Sequence, residues 1–395
     1  MVNKKFFKII VSSLLISSLV ALSGCSNSAA PQEEAKKSSS AKKDTAEDSK
    51  DNPYKDLKIG VVNIGASTDT AGYTYAHIAG IKGMQSSLNI KDDQIMYKDH
   101  IPDGPGDQET IKKAIQECID GGCKIIFTTS FGFKDATKEL AEKYPDIYFS
   151  HCSGDLSNGK NFNRYFGKIY QPFYLAGIAA GLKTTSNKVG FVSSWGSAVS
   201  EAAYCLNAFA MGVASVNPTA KVYSYAINSW GDEALEKEAA TWLVTHGIDV
   251  VGQDTDTAQP SLIAQANGKF SIGYNSDMSK DAPGSTLMSV IWNWSSYYTH
   301  AVKSIVDGSW DCPNYFGGFK EGTIGYTPLS NLNHADADAK VQEAVKKFTE
   351  GSWDVFTGVI ETNDGKTVGA ANVTMDDDTV QFNTNWLYKN VVVIK

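Results

Sequence analysis

The chain has 395 residues, with 36 Lys and Arg against 44 Asp and Glu, giving a net charge of −8. That length exceeds one ordinary core and suits two domains. A mildly acidic chain without a basic stripe is a poor partner for nucleic acid.

The first predicted element is a secretory signal. Two lysines precede an apolar run from Phe6 to about Leu22, then small residues and Cys25. A charged start, an apolar middle and a small-residue exit make such a signal over 1–24. The run is short for a membrane span, although an uncleaved anchor is the alternative reading. The sequence LSGC ending at Cys25 resembles the lipobox of bacterial lipoproteins, which implies a lipidated Cys25 and a protein anchored outside the cytoplasm. Residues 25–56 carry almost nothing apolar and are expected to form a disordered tether, because they cannot bury enough surface to offset their ordering entropy.

From Leu57 the pattern alternates. LKIGVVNIG, QIMYKDHI, CKIIFTTS, DIYFSHCS and NFNRYFGKIY read as strands, with helices predicted in YAHIAGIKGMQSSL, QETIKKAIQECIDGG and KDATKELAEKYP. A second series restarts near Pro172. Helices read from PFYLAGIAAGLKTTS, SEAAYCLNAFAMGVASVNP, DEALEKEAATWLVTHG and QPSLIAQANG. Strands read from NKVGFVSS, AKVYSYAI, IDVVGQDTD and KFSIGYNSD. One more strand and helix fit STLMSVIWNWSSYYTHAVKSIVDGSW, and terminal strands fit GTIGYTPL, WDVFTGVI and WLYKNVVVI. Strands apolar on both faces, each followed by a helix, predict an α/β fold of two doubly wound parallel-sheet lobes joined by a hinge. The expected lobes are 57–172 with about 288–322, and 173–287 with about 323–395.

Ligands of open α/β sheets sit outside the carboxyl ends of the strands, so two facing lobes share one cleft. The predicted strand ends carry polar and aromatic residues: NIGASTDTAGYTY, TTSFGF, SSWGS, NSWGD, QDTDT, YNSDM and WNWSSYY. Tyr75, Trp230, Trp292 and Trp294 at these ends are candidate ligand-binding residues; Asp69, Tyr73, Phe131, Phe133, Trp195, Asp256, Asn275 and Asp277 join them through the family resemblance given below. Trp292 and Trp294 stand two apart, so on a strand they point to one side and could clamp a planar group. Packing of the hinge is the alternative for both.

Catalytic patterns are missing. No GxSxG, HExxH, Walker A or GxGxxG occurs, and the six histidines have no metal-ligand spacing. The acidic runs around Asp336–Asp338 and Asp376–Asp378 read as solvated turns rather than calcium loops. No cofactor or metal is expected, and no catalytic residue. The five cysteines after Cys25 (Cys118, Cys123, Cys152, Cys205 and Cys312) read as small buried hydrophobes, with a Cys118–Cys123 bridge left open.

Taken together, KIGVVNIGASTDTAGYTYAHIAGIKG, TTSFGFKDATKELAEKYPDIYF, YLAGIAAGLKTTSNKVGFV, NAFAMGVASVNP and SIGYNSDMSKDAPGSTLMSVIWNW resemble the basic membrane protein (BMP) family of PnrA-like purine-nucleoside-binding lipoproteins. The resemblance implies a type I periplasmic-binding architecture and a place beside an ABC permease with its separate ATPase. It implies that Asp69 and Tyr73 occupy the family's acidic and stacking positions, with Thr74 replacing a polar amide. Phe131 and Phe133 match the aromatic pair after the third strand. Trp195 and Asp254-Thr255-Asp256 replace glycine-rich tips. Asn275 stands where the family has a ribose-gripping aspartate, with Asp277 two residues later, and Trp292 stands where it has a lysine. These departures point to a flat ligand, a purine nucleobase such as adenine or a nucleoside held chiefly by its base. Tyr73, Trp230 and Trp292 would stack on it. The alternatives are a ligand-sensing lipoprotein with a membrane signalling partner, a sugar-type ligand, and an extracytoplasmic nucleoside hydrolase.

Overall fold

The computed structural model describes residues 52–394. The signal, Cys25 and all but the last residues of the expected tether lie outside them. The first sheet takes β1 (Ile59–Val62), β2 (Ile95–Lys98), β3 (Ile125–Thr128), β4 (Tyr148–Cys152) and β5 (Phe162–Gly167). Between them run α1 (Gly72–Leu88), α2 (Gln108–Asp120) and α3 (Lys134–Lys143). After α4 (Tyr170–Lys183) the second sheet takes β6 (Lys188–Ser193), β7 (Lys221–Ala226), β8 (Val250–Gln253), β9 (Phe270–Asn275) and β10 (Thr286–Trp292). Its helices are α5 (Ser200–Val216), α6 (Glu233–Thr245) and α7 (Gln259–Ala266). Then come α8 (Trp294–Val306), β11 (Tyr315–Gly317), β12 (Ile324–Tyr326) and α9 (Ala337–Glu350). The chain finishes through β13 (Ile360–Glu361), β14 (Thr367–Val368), α10 (Asp377–Asn383) and β15 (Val391–Val393).

Strand order is β11-β5-β4-β3-β1-β2 in one sheet and β12-β10-β9-β8-β6-β7-β15 in the other. Every pairing in these two sheets is parallel except β10 with β12. Both sheets reverse direction between their first and second sequential neighbours, at β1/β3 and at β6/β8. Those are the switch points where crevices open in such sheets. The strands are buried along both faces, hence their continuous apolar runs.

The chain passes between sheets after β5, after β10 and after β11. The expected boundary near 288 falls inside β10, which stays in the second sheet through Trp292. The C-terminal segment touches both sheets. β15 pairs with β7, while Arg164 on β5 pairs with Asp378 (2.7 Å) and Lys168 with Asp377 (2.6 Å). The strand expected over 353–360 is irregular except at Ile360. Its Val355 and Phe356 are buried without a ladder, Phe356 packing on Tyr170 and Trp386. Asp376–Asp378 leads into α10, with the Asp376 carboxylate accepting from the Thr379 amide at 2.8 Å. The five cysteines are buried and unpaired.

Helices α4 and α5 cross in backbone contact. A Cβ on Gly177 would lie 2.1 Å from the Phe209 carbonyl oxygen and 2.9 Å from Gly212 Cα. No rotamer change relieves a clash with backbone. Gly177→Ala is therefore expected to destabilise by about 2–3 kcal/mol, the upper part of the overpacking range. A urea midpoint shift checks it.

Candidate functional site

The carboxyl ends of the two sheets enclose a cavity of about 100 Å³. The first sheet supplies Ile64 after β1, Ser130 and Phe131 after β3, Ser153 after β4, and Phe166 near the end of β5. Tyr73 enters from the first turn of α1, and Asp103 from the loop after β2. The second sheet supplies Glu201 on the first turn of α5, Trp230 after β7, Asp256 after β8 and Tyr274 on β9. Neither lysine nor arginine is among these residues. A wider mouth of about 450 Å³ adjoins it, sharing Ile64, Tyr73 and Asp256 and reaching Asp69, Glu233 and Asp281.

The aromatic rings differ in how they are held. Tyr73 donates from its hydroxyl to the Thr129 carbonyl at 2.6 Å, which fixes the ring against β3. Phe131 is 57% exposed and Trp230 38% exposed, so both offer open faces. Both rings are thus available to stack on a flat group entering the cleft. Lys134 Nζ sits 4.3 Å from the Phe131 ring centroid. Phe166 is almost wholly buried and forms the cavity floor against Trp292, 5.0 Å away between centroids.

The acids carry the electrostatics. Burial, reinforced by Asp254 and Asp256, pushes the Glu201 carboxyl up to about 8. Burial, with Glu236 and Asp254 nearby, pushes Asp256 to about 7 despite a hydrogen bond from Asn275. Asp254 is also raised to about 7 by burial, but it accepts from the Ser194 amide (2.6 Å) and hydroxyl (3.1 Å) and ties β8 to β6. Ser130 donates to Asp103 at 2.5 Å.

Of the sequence candidates, Tyr73, Phe131, Trp230 and Asp256 line the cavity. Asp69 lines the mouth and accepts from the Ala66 amide at 3.0 Å. Asn275 stands behind Asp256 in a left-handed conformation (φ 63°) and donates to it at 2.6 Å. The others lie outside the lining of this cavity. Phe133 is fully buried in the core under α2 and α3, because the single 3₁₀ turn over Phe131–Phe133 rotates it away from Phe131. Tyr75 lies off the cavity, since two helical positions turn a side chain by about 200°. Trp195 is half-buried outside the lining. Asp277 caps a turn by accepting from Ser279.

Trp292 and Trp294 do not clamp the cavity. Trp294 is fully buried and Trp292 nearly so. Trp294 is sandwiched between Trp292 (4.5 Å, 11°) and His77 (5.0 Å, 11°), forming a core stack where β10 gives way to α8. Sequence reading missed Ile64, Asp103, Ser130, Ser153, Phe166, Glu201 and Tyr274; Phe166 and Tyr274 each sit one residue before the last of their strands, Gly167 and Asn275.

Other grooves are larger but different in kind. The one between α4, α5 and α9, about 360 Å³, is lined by Lys340, Glu343 and Lys347. No group of three His, Cys, Asp or Glu among the described residues could hold a metal ion. No helix among them is long and apolar enough to cross a membrane.

The architecture has close counterparts. An ABC transporter solute-binding protein of Aeropyrum pernix superposes with a TM-score of 0.63 at 15% identity, over 82% of this chain and 95% of the other. A purine-binding protein of Brucella abortus is 32% identical over 324 residues, covering 82% of this chain and 90% of its own. A Haloferax volcanii protein, provisionally named an ABC transporter glucose-binding protein, is 35% identical over 218 residues, 55% of this chain and 54% of its own. The family model for PnrA-like ABC transporter substrate-binding proteins matches residues 57–352. With facing parallel sheets, a cleft at their carboxyl ends and that match over most of its length, this chain belongs to the Bmp family, whose members bind solutes for ABC transporters and are not enzymes.

Proposed function

We propose that this protein is the extracytoplasmic, lipid-anchored receptor of an ABC importer and holds a purine nucleobase or nucleoside between two lobes. One observation carries the reading: a cavity between facing strand ends walled by Tyr73, Phe131, Phe166 and Trp230, with carboxyls and no cation. Flat rings suit a flat heterocycle, and Glu201 and Asp256 suit its N–H groups. A lining with three carboxyls and neither Lys nor Arg disfavours a phosphate. The purine-binding Brucella relative supports the same ligand class. Each lobe is built on one sheet, and the three crossings after β5, β10 and β11 form a hinge on which they close. Lipidated Cys25 keeps the receptor at the membrane, where a separate permease and ATPase take the ligand.

In this reading Trp230 closes over the base from the second lobe. Base–aromatic stacking is worth about 1–3 kcal/mol, so Trp230→Ala should weaken adenine binding about 5- to 150-fold. Titration calorimetry measures it. An unchanged affinity would remove the stacking account.

A further inference from the structure

We propose that Trp292, although outside the cavity, is a positioning residue that sets ligand specificity through Asn275 and Asp256. The inference rests on the purine reading above and assigns the group that reads an N–H on the base. Trp292 Nε1 lies 2.9 Å from Asn275 Oδ1, and Asn275 Nδ2 lies 2.6 Å from Asp256 Oδ1. The direction of this relay has one solution. An indole N–H only donates, so the amide atom facing it is the oxygen. The amide nitrogen then faces Asp256 and donates, which occupies Oδ1 as an acceptor. Oδ2 remains for the ligand. It lies beside Gly231, 3.6 Å from where a Cβ there would stand, next to the Trp230 ring wall.

The relay is built to hold still. Asn275 is nearly fully buried, and its φ of 63° suits Asn better than most residues. The Trp292 ring is locked by its stack on Trp294 and by Phe166. The Asp256 amide donates to the Trp230 carbonyl at 2.9 Å, so the carboxylate and the aromatic lid share one scaffold. A rotamer fixed this way presents one acceptor in one direction, and a buried acceptor left without a donor is costly. The site therefore selects heterocycles carrying an N–H at the edge that meets Asp256.

The test uses the full chain and three probes: adenine, 9-methyladenine, which lacks the N9–H, and unsubstituted purine, which lacks the exocyclic amine. Trp292→Phe keeps a ring on Trp294 and removes the donor, at the cost of a smaller ring in a nearly buried position; that loss of packing falls equally on all three probes. At pH 8.5, above the value near 7 to which Asp256 is raised, the variant's adenine affinity should fall about tenfold, the weight of one hydrogen bond to a charged group. The loss should shrink to about twofold or less on the one analogue lacking the N–H that Asp256 holds, because the coupled partner is gone. Asn275→Gly keeps the left-handed backbone and breaks the relay at its centre. It should give the same pattern and serves where the Phe variant unfolds. Equal losses on all three probes in a folded variant would overturn the inference. Failure of the unmodified protein to bind any of the three would instead overturn the purine reading on which it rests.

Discussion

Trp294→Ala is expected to lower the stability of the folded protein by about 3–5 kcal/mol, the range for deleting a fully buried large aromatic. Its ring is wholly enclosed between Trp292 and His77, with Tyr165 edge-on at 5.5 Å and 87°. The neighbouring helix cannot collapse into the space. α1 already approaches so closely that a Cβ on Gly80 would lie 2.5 Å from Trp294 Cβ. The cavity therefore stays open, and the loss includes its cost as well as the lost burial. Urea denaturation of the ligand-free protein measures it. A loss under about 1 kcal/mol would mean that the stack packs far less tightly than the structure shows.

The ligand-free protein should also lose stability as pH rises from 5 to 8. Asp254 and Asp256 are raised to about 7 and Glu201 to about 8, each mainly by burial. Glu236, raised to about 7 by burial, acts in the same direction. Unfolded carboxyls titrate near pH 4, so between about 4 and 8 the folded state binds more protons than the unfolded one. The contribution is full below the unfolded value and disappears as pH passes the folded values. His77 and His151 oppose it. Burial lowers both to about 3, so their contribution is lost as pH falls below about 6.5. The carboxyls dominate above that point, and the histidines flatten the slope beneath it. Melting temperatures at pH 5, 6.5 and 8 check the sign. A melting temperature that rises between 6.5 and 8 would contradict the account.

How much of this could be read in advance follows from where each residue sits. The two sheets were legible because parallel strands buried on both faces leave unbroken apolar runs such as those of β1, β3 and β8. Strand β11 was not, being three residues long and held only by β5 from the far end of the lobe. The lining residues Phe131, Trp230 and Asp256 were legible because a polar or aromatic group just after an apolar strand has few structural uses, whereas Tyr73, on the first turn of α1, was legible only through the family resemblance. Phe133 and Trp294 share that position yet turn inward, one by a 3₁₀ turn and the other by opening α8 against α1. Nothing local distinguishes the two cases. Glu201 was hidden for the opposite reason. It stands at an ordinary helix start, and only the crossing of the chain between sheets brings it opposite Tyr73 and Phe166.

The central claim is that opposed rings from two sheets hold a flat heterocycle and leave it chemically unchanged. Titration calorimetry of the unmodified protein with adenine, hypoxanthine, adenosine, guanosine, ribose and glucose tests it most directly, with chromatography of each ligand afterwards. The account predicts one-to-one binding of at least one purine, recovered intact, and no heat from either sugar alone. Binding of ribose or glucose with no purine bound, or a nucleoside recovered as base and sugar, would contradict it.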